Sequence, residues 1–207
     1  MTVRGHSGVL TIAAEGEVET SDTAGVVRGI PNLIPEAVYL RQTPATQASP
    51  DLMKFASRFD RKLPPLELAH SIMRAVHEAV AYEVGTTHAH TTAAEAFSDG
   101  RGVCQDHAHI MITLARHLGL PARYVTGYLV TGVGASSAAA HAWAEIMVPD
   151  LGWVGFDGAN GQSPTDHYVR IAAGLDAAAV APVRGFRRGG SGTEQMTVEV
   201  RVEIAQQ

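Results

Sequence analysis

The sequence contains a single cysteine among its 207 residues, Cys104, so a disulfide within the chain is excluded. It also lacks any apolar run approaching the roughly 18 residues that a membrane-spanning helix needs. The first residues show neither the charged segment nor the apolar segment of a signal peptide. From these absences we expect a cytoplasmic protein that has no membrane partner.

Positive charge is scarce as well, since 16 lysines and arginines face 21 aspartates and glutamates and the net charge is −5. The one local basic stretch, residues 184–188, is typical of a solvated loop. A chain without a long basic run is a poor candidate for binding nucleic acid. The hydrophobic content of 45% is ordinary for a globular protein, and the length favours one substantial core.

Three helix signals precede the cysteine. Ser49 can cap a helix, and the proline after it fits a first turn, which predicts a short helix over about 50–60. From Pro65 onward, apolar residues recur at intervals of three and four and predict an amphipathic helix. Thr92 and Glu95 have the spacing of a capping box and predict another short helix that ends in an Asp-Gly pair.

Strand signals lie mainly after the cysteine. Weak alternation over residues 8–20 predicts an edge strand, and residues 124–130 predict a longer one. Residues 141–148 and 153–157 have the pattern of a hairpin, and strict alternation over 196–204 predicts a last strand. The chain is therefore expected to be α+β, with an antiparallel sheet packed on a central helix.

Cys104 stands where a glycine-containing loop gives way to a helical pattern. The N-terminus of a helix presents unpaired N–H groups and a partial positive charge, which favour a thiolate over a thiol. A lone cysteine in an intracellular enzyme is a candidate nucleophile when histidine and aspartate occur elsewhere. The buried face of this predicted helix carries Ala108, Met111, Ile112, Ala115 and Leu118.

His141 begins the first arm of the hairpin, and Asp157 ends the second. Cysteine, histidine and aspartate can act as nucleophile, base and orienting group, so these three residues form a candidate catalytic triad. The two hairpin residues can meet only if they lie on the same face of the sheet.

The register of the hairpin is therefore a test of the triad, because side chains alternate between faces with a period of two. Pairing Val148 with Trp153 around a four-residue loop would put His141 and Asp157 on opposite faces. Pairing Met147 with Trp153 around a five-residue loop puts them on the same face. The candidate triad predicts the second register or a bulge.

Together these motifs resemble the transglutaminase-like superfamily of papain-fold thiol enzymes, in its bacterial branch of small cysteine proteases. The resemblance covers about residues 65–190 and implies an α+β papain-like core with Cys104 on the central helix and His141 and Asp157 on adjacent strands. It also implies acyl transfer through a thioester. The matching stretches are TTAAEA at 91–96, GVCQDHAH at 102–109, PARYVTGY at 121–128, HAWAE at 141–145 and GWVGFD at 152–157.

The sequence departs from that family in two ways. Relatives often have a longer β-rich N-terminal region, so we assign residues 1–48 to a strand and extended segment left from it, and residues 49–207 to the catalytic core. Animal transglutaminases take an oxyanion donor from a tryptophan upstream of the cysteine, and papain-like proteases take it from a glutamine six positions before it. Both tryptophans here are downstream, and the second position is Ser98. We take the Cys104 backbone N–H as the first donor and Tyr82 as the candidate second donor.

Several residues near the triad allow a structural or a functional interpretation. Trp143, Trp153 and Gln105 are candidates for the substrate cleft, although both tryptophans could equally be core residues. His109 is expected to be a packed structural residue. Asp106 is expected to complement the helix dipole, and Asn160 to be a turn residue that tolerates left-handed geometry.

The ten histidines suggest a metal site, but their spacing does not match paired zinc ligands, and one cysteine gives little thiolate support. We therefore expect neither a metal nor an organic cofactor. The function predicted from the sequence is that of a cysteine peptidase or amidase acting on a peptide or protein substrate. Transfer of the acyl group to an amine, as in a transglutaminase, and a non-catalytic peptide-binding module are the alternatives. The sequence leaves the oligomeric state open.

Overall fold

The computed structural model describes residues 9–130 and 138–182, together with residues 185, 195 and 197–200 near the C-terminus. Short 3₁₀ turns lie at Glu36–Leu40, Pro44–Thr46 and Ala177–Val180. The α-helices of these residues are α1 (Pro50–Ala56), α2 (Pro65–Ala79), α3 (Ala93–Asp99) and α4 (Cys104–His117). The strands are β1 (Ala81–Tyr82), β2 (Arg101–Gly102), β3 (Ala122–Val130), β4 (Ala138–Val148), β5 (Gly152–Phe156) and β6 (Tyr168–Gly174).

The helix signals of the sequence are confirmed where the helices begin, although α1 ends at Ala56 and not near residue 60. The Ser49 hydroxyl accepts a hydrogen bond from the backbone N–H of Leu52, at 3.3 Å. Thr92 and Glu95 form the predicted capping box at the start of α3. That helix ends at Gly100, whose φ of +66° is a left-handed conformation that glycine adopts without strain.

Four antiparallel strands form the main sheet in the order β5-β4-β3-β6, and β1 and β2 form a separate parallel pair. Helix α4 packs on one face of the main sheet. The predicted α+β class, a helix that begins at the cysteine and lies against an antiparallel sheet, is confirmed. Strand β6 was not predicted.

Alternation along β4 decides what each face of the sheet does. Ala142, Ala144 and Ile146 point into the core that also contains the buried residues of α4. His141 and Trp143 belong to the opposite set of side chains, because they stand at odd positions of the same strand. The apolar set packs the sheet against the helix. The other set includes His141, which is free to contact polar groups on that face of β4.

Two predicted strands are wrong where the structure describes them. Residues 9–20 are exposed and have no regular secondary structure, and residues 197–200 are likewise not in a strand. The rest of the predicted strand over 196–204 lies outside the described residues. Residues 25–27 bond instead to the outer edge of β5, through Val27 N–H to Trp153 O at 2.9 Å and Gly155 N–H to Gly25 O at 2.8 Å. The edge is therefore occupied by a segment with no alternating pattern.

The N-terminal segment is also tied to the core by Arg116 near the end of α4. Its guanidinium donates to the backbone carbonyls of Tyr39, Ala122 and Leu175 and to the Thr46 hydroxyl. Burial lowers the pKa of Arg116 to about 10, against the opposing effect of Asp176.

None of the helices described in 9–130 and 138–182 is long and apolar enough to cross a membrane.

Candidate active site

Cys104 is the first residue of α4 and is half-buried. The turn that delivers it is organised by Asp106, whose Oδ2 accepts hydrogen bonds from the Val103 N–H at 2.8 Å and the Thr87 hydroxyl at 2.6 Å. A side chain at Gly102 would come within 2.7 Å of the Asp106 Cβ, so this position requires glycine. Asp106 lies in the first turn of α4, where a carboxylate complements the helix dipole as expected, and it also caps the residue before the nucleophile.

His107 joins the same turn to the end of α2. Its buried ring places Nδ1 2.9 Å from the Val103 carbonyl oxygen and Nε2 3.0 Å from the Val80 carbonyl oxygen. Val80 is followed directly by β1, which carries Tyr82. The nucleophile turn and the strand with the candidate oxyanion donor are therefore fixed to each other through one side chain.

The hairpin has the register that the candidate triad requires. Met147 pairs with Trp153 and Val148 with Gly152, so His141 and Asp157 fall on the same face. The His141 Nε2–H donates to Asp157 Oδ2 at 2.6 Å. The predicted pairing of Met147 with Trp153 is confirmed, and with it the proximity of the His141 and Asp157 side chains.

Asp157 is completely buried and accepts hydrogen bonds from several sides. Its Oδ1 accepts from the backbone N–H groups of Ala159 and Asn160, at 2.9 and 3.2 Å. Its Oδ2 accepts from His141, from the Asn160 amide at 2.7 Å and from the Tyr168 hydroxyl at 2.8 Å. A buried carboxylate with this many donors is stabilised as the anion.

The protonation states of the site follow from these contacts. Burial favours the neutral ring of His141, but hydrogen bonds and charges from Asp157 and Cys104 raise its pKa to about 9. Burial also favours the neutral form of Asp157, but His141, Asn160 and Tyr168 together lower the pKa of this carboxyl below its usual range. At neutral pH the pair is therefore an imidazolium next to a carboxylate. The Cys104 side chain is hydrogen-bonded to the same imidazole ring of His141.

Tyr82 lies beside the nucleophile turn, since β1 pairs it with Gly102. Its side chain is 56% exposed. Burial of the hydroxyl and the negative charges of Cys104 and Asp157 raise the pKa of Tyr82, so the phenol keeps its proton. A protonated phenol is a hydrogen-bond donor beside the nucleophile turn.

The three predicted cleft residues have different environments. Trp153 is buried against Tyr39 and Met147 with the Arg123 guanidinium over its ring at 4.0 Å, so it takes the core position that was the structural alternative for this residue. The register puts it at the far end of the hairpin. Trp143 is 2% exposed and its ring centre lies 6.3 Å from that of His141, so it packs behind the imidazole rather than lining an open cleft. Gln105 is half-buried, and its amide donates to the Ala89 carbonyl at 3.4 Å.

Sequence reasoning missed two residues that contact Asp157. Asn160 is not in a left-handed conformation, and the positive φ in this loop belongs to Gly161, at +66°. The closeness of Asn160 to Asp157 in sequence was the only signal that could have shown the role of Asn160. Tyr168 is the first residue of β6, the strand that the alternation pattern did not reveal.

His109 is a buried structural residue, as expected. Burial lowers its pKa to about 4, and its Nε2 accepts a hydrogen bond from the Ala177 N–H at 3.2 Å. Among the described residues there is no group of three or more His, Cys, Asp or Glu side chains that could hold a metal ion. The histidines that flank the cysteine in sequence serve the helix and its packing.

A profile of the transglutaminase-like superfamily matches residues 54–158, just over half of the chain and including all three candidate triad residues. The chain belongs to the transglutaminase-like superfamily. The crystal structure of a "Putative Cysteine Protease" from Cytophaga hutchinsonii has the same fold, with a TM-score of 0.61 and 29% sequence identity. That alignment covers 78% of this chain and 55% of the Cytophaga chain.

Relatives in mycobacteria are uncharacterised proteins. One from Mycobacterium leprae is 30% identical over 171 residues, which is 80% of this chain and 59% of that protein. One from Mycobacterium tuberculosis H37Rv is 32% identical over 163 residues, covering 72% of this chain and 50% of that protein. The chain thus spans between half and three fifths of the length of these superfamily members.

Proposed function

We propose that this superfamily member is a cysteine peptidase or amidase, in which Cys104 is the nucleophile, His141 the proton carrier and Asp157 the orienting carboxylate. The observation that carries the proposal is the His141 ring, which bonds Asp157 through Nε2 and has its pKa raised by Cys104 as well. An imidazolium between a carboxylate and a thiol stabilises the thiolate, which is the reactive form.

In the acylation step the Cys104 sulfur attacks the carbonyl carbon of a peptide or carboxamide. A carbon–sulfur bond forms and the carbonyl electron pair moves to the oxygen, giving a tetrahedral oxyanion. The carbon–nitrogen bond then breaks, and the departing nitrogen takes a proton from the imidazolium of His141. Asp157 stays ionised throughout, since its donors hold the charge.

In the second step the neutral His141 removes a proton from water as the water attacks the thioester. The carbon–sulfur bond breaks, the carboxylic acid leaves, and the thiolate and imidazolium are restored. An amine in place of water gives an amide by the same route, which is the transglutaminase reaction. Hydrolysis and transfer differ only in the molecule that accepts the acyl group, so the experiment must measure both products.

The developing oxyanion needs donors that point at it. Helix α4 begins at Cys104, so the Cys104 N–H is among the first N–H groups of the helix, which have no acceptor within it. Tyr82 supplies the second donor in this proposal, because its phenol remains protonated beside Cys104. Loss of one oxyanion donor typically lowers the rate by about 10²- to 10³-fold. We expect Tyr82→Phe to lower the rate by a factor in that range or by a smaller one.

The test is to screen a library of peptides and glutamine-containing donors, with and without a primary amine, against the wild type and Cys104→Ala. We expect turnover by the wild type, none by the variant, and release of free carboxylic acid as the main product. Activity that survives in Cys104→Ala would refute the nucleophile assignment. Product that depends on added amine would establish transfer in place of hydrolysis.

Alkylation of the thiol separates an enzyme from a binding module without knowledge of the substrate. In the proposed ion pair, iodoacetamide reacts with Cys104 at a rate that is already on a plateau below pH 7. A rate that instead rises only near pH 8.5, the ordinary thiol range, would indicate an unactivated cysteine and a non-catalytic module. His141→Gln is the matched control, because it removes the imidazolium and leaves the thiol.

A further inference from the structure

Asp157 Oδ2 is the point on which three different side chains converge. His141, Asn160 and Tyr168 all donate to this single oxygen, at 2.6, 2.7 and 2.8 Å. The Asn160 amide nitrogen also lies 3.4 Å from His141 Nε2, so the two donors are neighbours on the same acceptor. The charge that faces the imidazolium is therefore shared with two groups outside the candidate triad.

The direction of each donor is fixed by its surroundings. The Gln162 amide nitrogen lies 3.0 Å from the Tyr168 oxygen and can only donate, so the Tyr168 hydroxyl accepts there and directs its own hydrogen at Asp157. Asn160 must turn its NH₂ to a carboxylate that only accepts. Neither group can reverse its role without losing a buried hydrogen bond.

The loop that carries Asn160 is held at both ends. Asp157 and Gln162 exchange backbone hydrogen bonds at 2.8 and 3.2 Å, which closes the loop from 157 to 162. His77 of α2 lies with its Nδ1 3.1 Å from the Gly158 carbonyl oxygen, and its ring lies 3.2 Å from the position that a Cβ of Gly161 would take. The closed loop therefore fixes the position from which the Asn160 amide donates to Asp157.

We propose that Asn160 and Tyr168 are positioning residues that share the charge of Asp157 Oδ2 with His141 and so limit how firmly the carboxylate holds the imidazolium proton. The proposal rests on the proposed function, because a proton that must pass to a leaving amine cannot be held too tightly. The ring of His141 also faces Cys104 from α4, and Tyr82 from β1 lies close enough to sense both Cys104 and Asp157. Tyr168→Phe and Asn160→Ala leave both groups unchanged.

The experiment is an NMR titration of the His141 ring in the wild type, Tyr168→Phe and Asn160→Ala. It is repeated in a Cys104→Ala background, where the thiol no longer contributes. Removing either donor concentrates the charge of Asp157 on His141, so we expect the midpoint of the titration to rise by about half a unit to one unit. Tyr168→Phe keeps the ring and its packing against Trp143, which isolates the effect of the hydroxyl.

Tyr39→Phe is the matched control, since it makes the same chemical change in the cluster around Trp153, away from Asp157. A midpoint that rises in Tyr168→Phe and stays constant in Tyr39→Phe supports the proposal, whereas a constant or lower midpoint in Tyr168→Phe overturns it. If Asn160→Ala does not fold, Tyr168→Phe decides alone. Failure of the proposed function would instead appear as an inactive wild type whose His141 still shifts in these variants.

Discussion

Asp106 and Asp157 are both buried carboxylates of the candidate site, with 1% and 0% exposure, but they are held in different ways. Asp106 accepts two hydrogen bonds at Oδ2, from Thr87 and Val103, and its Oδ1 has no partner among the described residues. Asp157 accepts five at its two oxygens, one of them from a side chain that changes its protonation. The first fixes a turn of backbone, and the second holds a proton carrier.

The difference indicates that Asp157 serves the reaction, whereas Asp106 serves the local structure around the nucleophile. Asp106 stands two residues from the nucleophile and joins the start of α4 to the loop that carries Thr87. Asp157 collects donors from β4, from its own loop and from β6, so it depends on the whole sheet. We therefore expect substitutions at the two positions to separate activity from stability.

The largest effect is expected from Asp157→Asn compared with Asp106→Asn. Loss of the orienting carboxylate leaves His141 with the wrong tautomer, and by the behaviour of other triads the rate should fall by about 10⁴. Asp106→Asn should cost less than about tenfold in rate but about 1–3 kcal/mol of stability, because a buried hydrogen-bond network is disturbed. Turnover of the best library substrate and urea unfolding measure the two effects. Equal losses of activity in both variants would remove the distinction between the carboxylates.

The next effect concerns the dependence of stability on pH. Because the pKa of His141 is raised from 6.5 to about 9, its contribution to stability is complete below pH 6.5 and is lost as the pH rises through 9. We expect the free energy of unfolding to decrease over this window in Cys104→Ala, where no thiol can release a proton on folding, and equally when Asp106→Asn is added to it. The decrease should be absent when His141→Gln is added instead, and constant stability of Cys104→Ala over the window would contradict the ion pair of His141 and Asp157.

The smallest effect is expected at Thr87, which donates to Asp106 from the loop before α3. Thr87→Val removes one of the two donors and leaves a buried charge less satisfied, which should cost about 1–2 kcal/mol. Thr87→Ser keeps the hydroxyl and serves as the control. Thermal unfolding measures the loss, while the rate of Cys104 alkylation should change little in either variant. A large loss of alkylation in Thr87→Val would show that this side of the site also tunes the thiol.

Local signals in the sequence predicted the helices well because their causes are local. The Ser49 cap, the capping box of Thr92 and Glu95, and the helix that begins at Cys104 each depend on residues a few positions apart. The hairpin register was also accessible, because strand alternation leaves only two arrangements and one of them separates His141 from Asp157.

Where the sequence failed, the cause was long-range. Residues 9–20 alternate but remain exposed, and residues 25–27, which do not alternate, bond to the edge of β5. The sequence allowed Trp153 either a cleft or a core position, and the register that joins His141 and Asp157 sends it to the core cluster with Tyr39. The turn expected at Asn160 is confirmed, but the direction of its amide, toward the carboxylate three positions earlier, depends on a loop that His77 of α2 also contacts.

The sequence by itself determined the superfamily motifs, the class of the fold and the identity of the three candidate triad residues. These rest on order and spacing along the chain, which folding preserves. Only the tertiary structure decided that Asn160 and Tyr168 complete the surroundings of Asp157, that Tyr82 lies beside the nucleophile turn, and that both tryptophans are buried. Those facts depend on how distant segments meet, and the free energy of such contacts appears only when the sheet and α4 have packed together.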